Sequence, residues 1–94
     1  MRLLKVKVHV YIYGQVQGVF FRARTHNEAL KRNVNGWIRN TSDDRVEAIF
    51  EGEEEDVKEL IDYCKKGPSQ ATVTKVELNW LEYSGRFHSF QIRT

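Results

Sequence analysis

KVKVHVYIY at residues 5–13 runs without a break into GQVQGVFFR at residues 14–22, and the change of period between the two pieces decides the fold. In the first piece Val6, Val8, Val10 and Ile12 alternate with Lys7, His9, Tyr11 and Tyr13. That period of two predicts a half-buried strand. From Phe21 to about Asn33 the period lengthens to that of a helix. Phe21, Thr25, Ala29 and Leu30 fall on one stripe, with Arg24, Glu28, Lys31 and Arg32 outside it. Glu28 and Arg32 are placed to pair across one turn, worth about 0.3 kcal/mol. Between strand and helix, Gly14 and Gly18 admit backbone conformations that a Cβ would obstruct. Backbone N–H groups that curl inward and open onto a helix N-terminus form an anion cradle. Arg22 stands at the helix start with a forked donor array that suits the same anion. The spacing lacks the Lys-Ser/Thr of a Walker loop and does not match a dinucleotide fingerprint. From these residues alone the loop reads equally as an anion cradle or as a plain strand-to-helix turn with a surface arginine.

Outward from this junction the chain alternates cleanly. Asn33-Val34-Asn35-Gly36 breaks the first helix through an αL-tolerant residue and a glycine. Residues 36–40 read as a short strand, with Trp37 and Ile38 on opposite sides. Thr41-Ser42-Asp43-Asp44 is a turn, and residues 45–51 are the returning strand of a hairpin, with Val46, Ala48 and Phe50 on one face. The acidic run Glu53-Glu54-Glu55-Asp56 sits where a second helix begins, and carboxylates favour that end of the dipole. Val57, Leu60, Ile61 and Cys64 make its apolar stripe. Lys65, Lys66, Gly67 and Pro68 end it. Thr74, Val76, Leu78 and Trp80 alternate as a further strand, and His88, Phe90 and Ile92 suggest a short last one. The order β-α-β-β-α-β with a terminal strand predicts an α+β, ferredoxin-like sandwich, with an antiparallel sheet of four to five strands and two helices on one face. Val8, Val10, Leu60, Ile61, Val76 and Leu78 are its expected core.

The chain has 94 residues, enough for a single domain over residues 1–94. Its 40 % hydrophobic and 30 % charged content is that of a globular domain. A net charge of +2 is too mild to argue for a nucleic-acid partner. The single Cys excludes an internal disulfide and a cysteine zinc site. No apolar run approaches the roughly 18 residues of a membrane span, and the N-terminus lacks a secretory pattern. A cytoplasmic monomer without nucleic-acid or membrane partners is expected.

In the expected topology the first and second strands, residues 5–13 and 36–40, run parallel with the 45–51 strand between them. Two strand spacings are roughly 10 Å. Asn40, at the end of one strand, therefore comes beside the loop that leaves the other. The nine residues from Gly14 to Arg22, with Gly36-Trp37-Ile38-Arg39-Asn40 and the segment from Arg45 to Gly52, closely resemble the acylphosphatases, and the resemblance covers essentially the whole chain. It departs from that family's pattern at Ile38, where a smaller residue is more usual, and at Asp44, where a turn glycine is common.

The resemblance implies a hydrolase of the carboxyl-phosphate anhydride of acyl phosphates, with no metal and no cofactor. The partner implied is a small-molecule acyl phosphate, with inorganic phosphate as product or competitive inhibitor. By match to the family, Arg22 binds phosphate and Asn40 positions the attacking water, while backbone N–H groups of Gln17, Gly18, Val19, Phe20, Phe21 and Arg22 surround the phosphoryl oxygens. Asn has no titratable proton near neutrality, so the base is expected to be a phosphate oxygen of the substrate. Two other readings are open. The same sandwich serves as an RNA-binding module, for which Tyr11 and Tyr13 on the outer sheet face are the support, but the expected Lys/Arg-Gly-Phe run is missing. A small-anion sensor would keep the loop without turnover. Arg24 and Arg39 read as solvated, Cys64 as a buried apolar residue, and His9, His26 and His88 fall on separate elements. Trp37, Tyr11, Tyr13 and Trp80 read as sheet packing, with one or two of them candidates for the pocket mouth.

Overall fold

A computed structural model describes residues 4–94. Seven elements follow in order: β1 (Lys5–Gln15), α1 (Phe21–Lys31), β2 (Asn35–Asn40), β3 (Val46–Glu53), α2 (Glu54–Lys66), β4 (Thr72–Leu81) and β5 (Phe90–Arg93). The sheet order is β4-β1-β3-β2-β5. Both helices lie on one face, and the architecture is the expected ferredoxin-like sandwich. The sheet is mixed rather than wholly antiparallel, because β5 pairs parallel to β2. The chain leaves β4 at one edge and crosses the face opposite the helices to reach the other edge. Ser84 on that crossing donates from its amide and its hydroxyl to Glu51 at 2.7 and 2.6 Å, and Asn35 Nδ2 donates to the Phe87 carbonyl.

Alternation places Val8, Val10 and Ile12 of β1 under the helices, fully buried. Val57, Leu60, Ile61 and Cys64 of α2 meet them from above, each large side chain contributing about 1.5–3 kcal/mol by leaving water. Val76 and Leu78, expected in the core, are only half-buried and pack at its margin. They lie on β4, an edge strand, and no further strand flanks them on that side among the described residues. Leu30, placed on the α1 stripe, is 56 % exposed. Phe21, Thr25 and Ala29 alone form the buried line of that helix, since spacings of four leave the next residue turned outward. The predicted Glu28–Arg32 pair is present at 2.6 Å.

The centre of the sheet is more enclosed than alternation suggests. On β3 Glu47, Ile49 and Glu51 are buried as well as Val46, Ala48 and Phe50. Glu47 accepts from His9 Nε2 at 2.6 Å and from Arg39 at 2.6 Å. Burial alone would raise the Glu47 carboxyl, but hydrogen bonds from His9 and Arg39 outweigh it and hold the group below its ordinary value. Arg39, read from sequence as solvated, keeps 41 % of its side chain exposed and pairs with the buried Glu47 carboxylate. Trp80, read as sheet packing, is 46 % exposed on the β4 edge.

Candidate active site

The loop between β1 and α1 is shaped by three left-handed residues. At Gly14 (φ +126°) the β1–β4 register slips, and a Cβ there would stand 2.0 Å from the Thr72 carbonyl oxygen. Only glycine fits at this irregularity, beyond which Gly14 and Gln15 still pair with Val73 and Thr72 of β4. Gly18 follows at φ +73°, and then Phe20 at φ +63° as the residue capping α1. A phenylalanine held in the left-handed region is strained by about 1–2 kcal/mol. The N–H groups of Gln17, Gly18, Val19 and Phe20 are not taken by any backbone carbonyl among the described residues. Those of Phe21, Arg22 and Ala23 open the helix, where no preceding turn exists to receive them. The first turn carries no acidic residue.

A cavity of about 280 Å³ opens at this helix end, and Gly18, Phe20, Phe21, Arg22 and Asn40 all line it. Arg22 and Asn40 thus come together from α1 and the end of β2. Parallel β1 and β2, with β3 hydrogen-bonded to both, bring those chain ends to one edge. Arg22 meets no carboxylate among the described residues. Its guanidinium donates only to the Arg93 carbonyl, at 3.4 Å. Arg32, Arg39 and Arg45, by contrast, each pair with a carboxylate. The Asn40 amide oxygen is buried without a hydrogen-bond partner. A buried acceptor in that condition is uncommon in a folded chain.

Two expected binding residues sit differently from the rest. Val19 packs against the core. The Gln17 carboxamide donates to the carbonyls of Thr41 at 2.9 Å and Arg45 at 2.8 Å. Its side chain clamps the loop to the β2–β3 hairpin, next to Asn40. The hairpin is itself well tied. Arg45 N–H donates to the Thr41 hydroxyl, Thr41 N–H to the Arg45 carbonyl, and the Arg45 guanidinium to both oxygens of Asp43. The Arg45 guanidinium, then the Thr41 hydroxyl, draw the Asp43 carboxyl down to about 2. Asp44 takes the left-handed conformation at φ +71°, the position where the family pattern more often has glycine.

Ile92 of β5 and Ala23 complete the cavity wall together with Val16. The sequence marked Ile92 only as part of a short last strand, because nothing in a terminal strand's alternation tells which edge it will join. Trp37, Tyr11, Tyr13 and Trp80 are not among the lining residues. Arg45 lies over the Tyr11 ring at 4.1 Å and near the Tyr13 ring at 5.5 Å, so the rings a base would stack on already carry a cation. Cys64 is buried beneath α2, and burial pushes its thiol up to about 12. No group of three or more His, Cys, Asp or Glu side chains suited to a metal occurs among the described residues.

The model of the acylphosphatase family matches residues 8–92. An acylphosphatase of Chloroflexus aurantiacus is 52 % identical over 87 residues, covering 93 % of this chain and 95 % of the relative. One of Syntrophus aciditrophicus is 51 % identical over 86 residues, covering 92 % and 90 %. The crystal structure of acylphosphatase from Bacillus subtilis superimposes with a TM-score of 0.91 at 31 % identity, covering 95 % of this chain and 99 % of that one. A family match and identities of this level over nearly the entire length lead to one conclusion: the chain belongs to the acylphosphatase family of hydrolases.

Proposed function

We propose that the chain hydrolyses acyl phosphates without a metal, at the cavity between the 15–20 loop and Asn40. The observation that carries this reading is the meeting of Arg22 and Asn40 across one cavity at a helix end devoid of carboxylate. The phosphoryl group lies against the N–H groups from Gln17 to Arg22, and the Arg22 guanidinium exchanges its long contact with the Arg93 carbonyl for the anion. Asn40 accepts a hydrogen bond from the water that attacks phosphorus. The new P–O bond forms as the bond from phosphorus to the carboxyl oxygen breaks, and the carboxylate leaves with the electron pair. The water proton passes to a phosphoryl oxygen, giving inorganic phosphate. An acyl phosphate has a good leaving group, so positioning and fixed charge carry the rate.

Benzoyl-phosphate hydrolysis in the presence of EDTA tests this. Arg22→Ala is expected to raise the inhibition constant of inorganic phosphate and lower kcat/KM. Asn40→Ala is expected to lower kcat roughly 100-fold while phosphate still binds. Loss of activity in EDTA would defeat the metal-independent reading. Because the base belongs to the substrate, the pH–rate profile is expected to be flat across neutrality. A limb set by an enzyme group near pH 6–7 would reject it.

A further inference from the structure

We propose that Phe20 and Ile92 form an acyl-group subsite that makes the enzyme selective for acyl phosphates with apolar, ring-sized acyl chains. This rests on the hydrolase reading above and names the part of the substrate that the phosphate machinery leaves undetermined. The cavity lining is mixed in chemistry. Arg22, Asn40 and the free N–H groups of the loop bring polar atoms to it, and the side chains of Phe20, Ala23 and Ile92 bring apolar ones. A phosphoryl group fills the space of roughly three or four waters at about 30 Å³ each. A cavity of about 280 Å³ leaves room beyond it for a second group.

The two apolar residues are placed in ways that packing does not explain. Phe20 is 65 % exposed and Ile92 44 % exposed, so neither supports the core. Phe20 also stands in a left-handed conformation at φ +63°, which a phenylalanine adopts at a cost and which glycine or asparagine would adopt with less. Strain of this kind, on an exposed aromatic ring at a cavity wall, gathers at ligand sites. Ile92 is brought to the wall by the parallel pairing of β5 with β2, in which it faces Ile38. The next residue, Arg93, gives its carbonyl to Arg22, so β5 contacts the phosphate residue and the apolar wall at once. An acyl phosphate has its carboxyl carbon one oxygen away from phosphorus. A ring attached to that carbon stays within reach of the same cavity, whose lining beyond Arg22 and Asn40 includes Phe20 and Ile92.

The test compares benzoyl phosphate with acetyl phosphate, with inorganic phosphate inhibition as a measure of the anion site alone. The variants are Phe20→Asn, which keeps a residue that tolerates the left-handed conformation, and Ile92→Thr, which keeps β-branching on the strand. The native protein is expected to favour benzoyl over acetyl phosphate in kcat/KM. Each variant is expected to reduce that ratio about tenfold, the scale of lost apolar contact in a specificity pocket, and Ile92→Thr, which lies outside the phosphate loop, is expected to shift the inhibition constant of inorganic phosphate less than threefold. An unchanged ratio in both variants would overturn the subsite, and so would equal losses on both substrates. If the native protein hydrolysed neither compound, the hydrolase reading itself would fail and the subsite with it. Hydrolysis of both without any benzoyl preference would sink the subsite alone.

Discussion

The N-termini of the two helices are opposites. α2 begins with Glu54, Glu55 and Asp56, follows a residue in extended conformation, and gives its first N–H to the Leu4 carbonyl at 2.8 Å. Each carboxylate there contributes about 0.3–1 kcal/mol against the helix dipole. α1 begins with Phe21, Arg22 and Ala23, has no acid in its first turn, and follows a strained phenylalanine. A cation at the positive end of the dipole is the unfavourable choice. One chain thus contains a helix start arranged for stability and another that forgoes it. Under the proposed function the difference has a reason: an anion arriving from outside would satisfy the unpartnered donors and the cation of the α1 end together.

The sharpest way to break this contrast is to give α1 what α2 has. Arg22→Glu is expected to reduce kcat/KM for benzoyl phosphate at least ~1000-fold. Thermal unfolding followed by circular dichroism should stay level or rise by up to about 0.5 kcal/mol. Activity within tenfold of the native protein would mean that the helix end is not where the anion binds. Next in size is Gln17→Ala, which cuts the loop free from the hairpin. Two partly buried hydrogen bonds disappear, so urea unfolding should show a loss of roughly 1–2 kcal/mol. Turnover should fall more than phosphate affinity, because Asn40 sits beside the released Thr41 and its aim matters most in the transition state. A change confined to KM would instead put the Gln17 carboxamide on the substrate.

The converse change is made on α2. Glu54→Lys together with Asp56→Lys should destabilise by about 0.5 kcal/mol per site with kcat/KM unaltered, since α2 contributes nothing to the cavity wall. The smallest effect concerns the hairpin that carries Asn40. Asp43 titrates at about 2 in the folded chain, below the ordinary value near 3.9. A depressed carboxyl adds stability above the unfolded value, and that contribution is lost as pH falls through the folded one. An acid titration of the Asp43 carboxyl carbon by NMR should therefore find a midpoint near 2 in the native protein. Thr41→Ala should move it part of the way back toward ~3.9. A native midpoint near 3.9 would show that the Arg45 contact does not persist in solution.

Much of the site could be read before any coordinates. The glycine spacing, the period change at Phe21 and the hairpin after Asn40 located the loop, the arginine and the amide, and the topology predicted that they would share an edge. Three things could not be read. The clamp made by Gln17 depends on carbonyls more than twenty residues away, and a glutamine in a loop carries no local sign of its partner. The role of β5 in the cavity wall depends on which sheet edge the last strand joins. Asp44 was recognisable as a departure, but its left-handed backbone is a matter of how the hairpin closes.

The sequence by itself determined the type and order of the elements, because those follow from periods of two and 3.6 and from local stop signals. It also determined the character of the two helix starts, which is a matter of residues next to one another. Only the tertiary structure decided which of those alternating faces are covered. Glu47 and Glu51 are buried because a crossing segment, His9 and Arg39 close over them, while Leu30, Val76 and Leu78 stay partly open because no group among the described residues covers them fully. Alternation tells a side chain which way to point. Whether another group is waiting there is set by contacts far apart in the chain, and no local pattern encodes them.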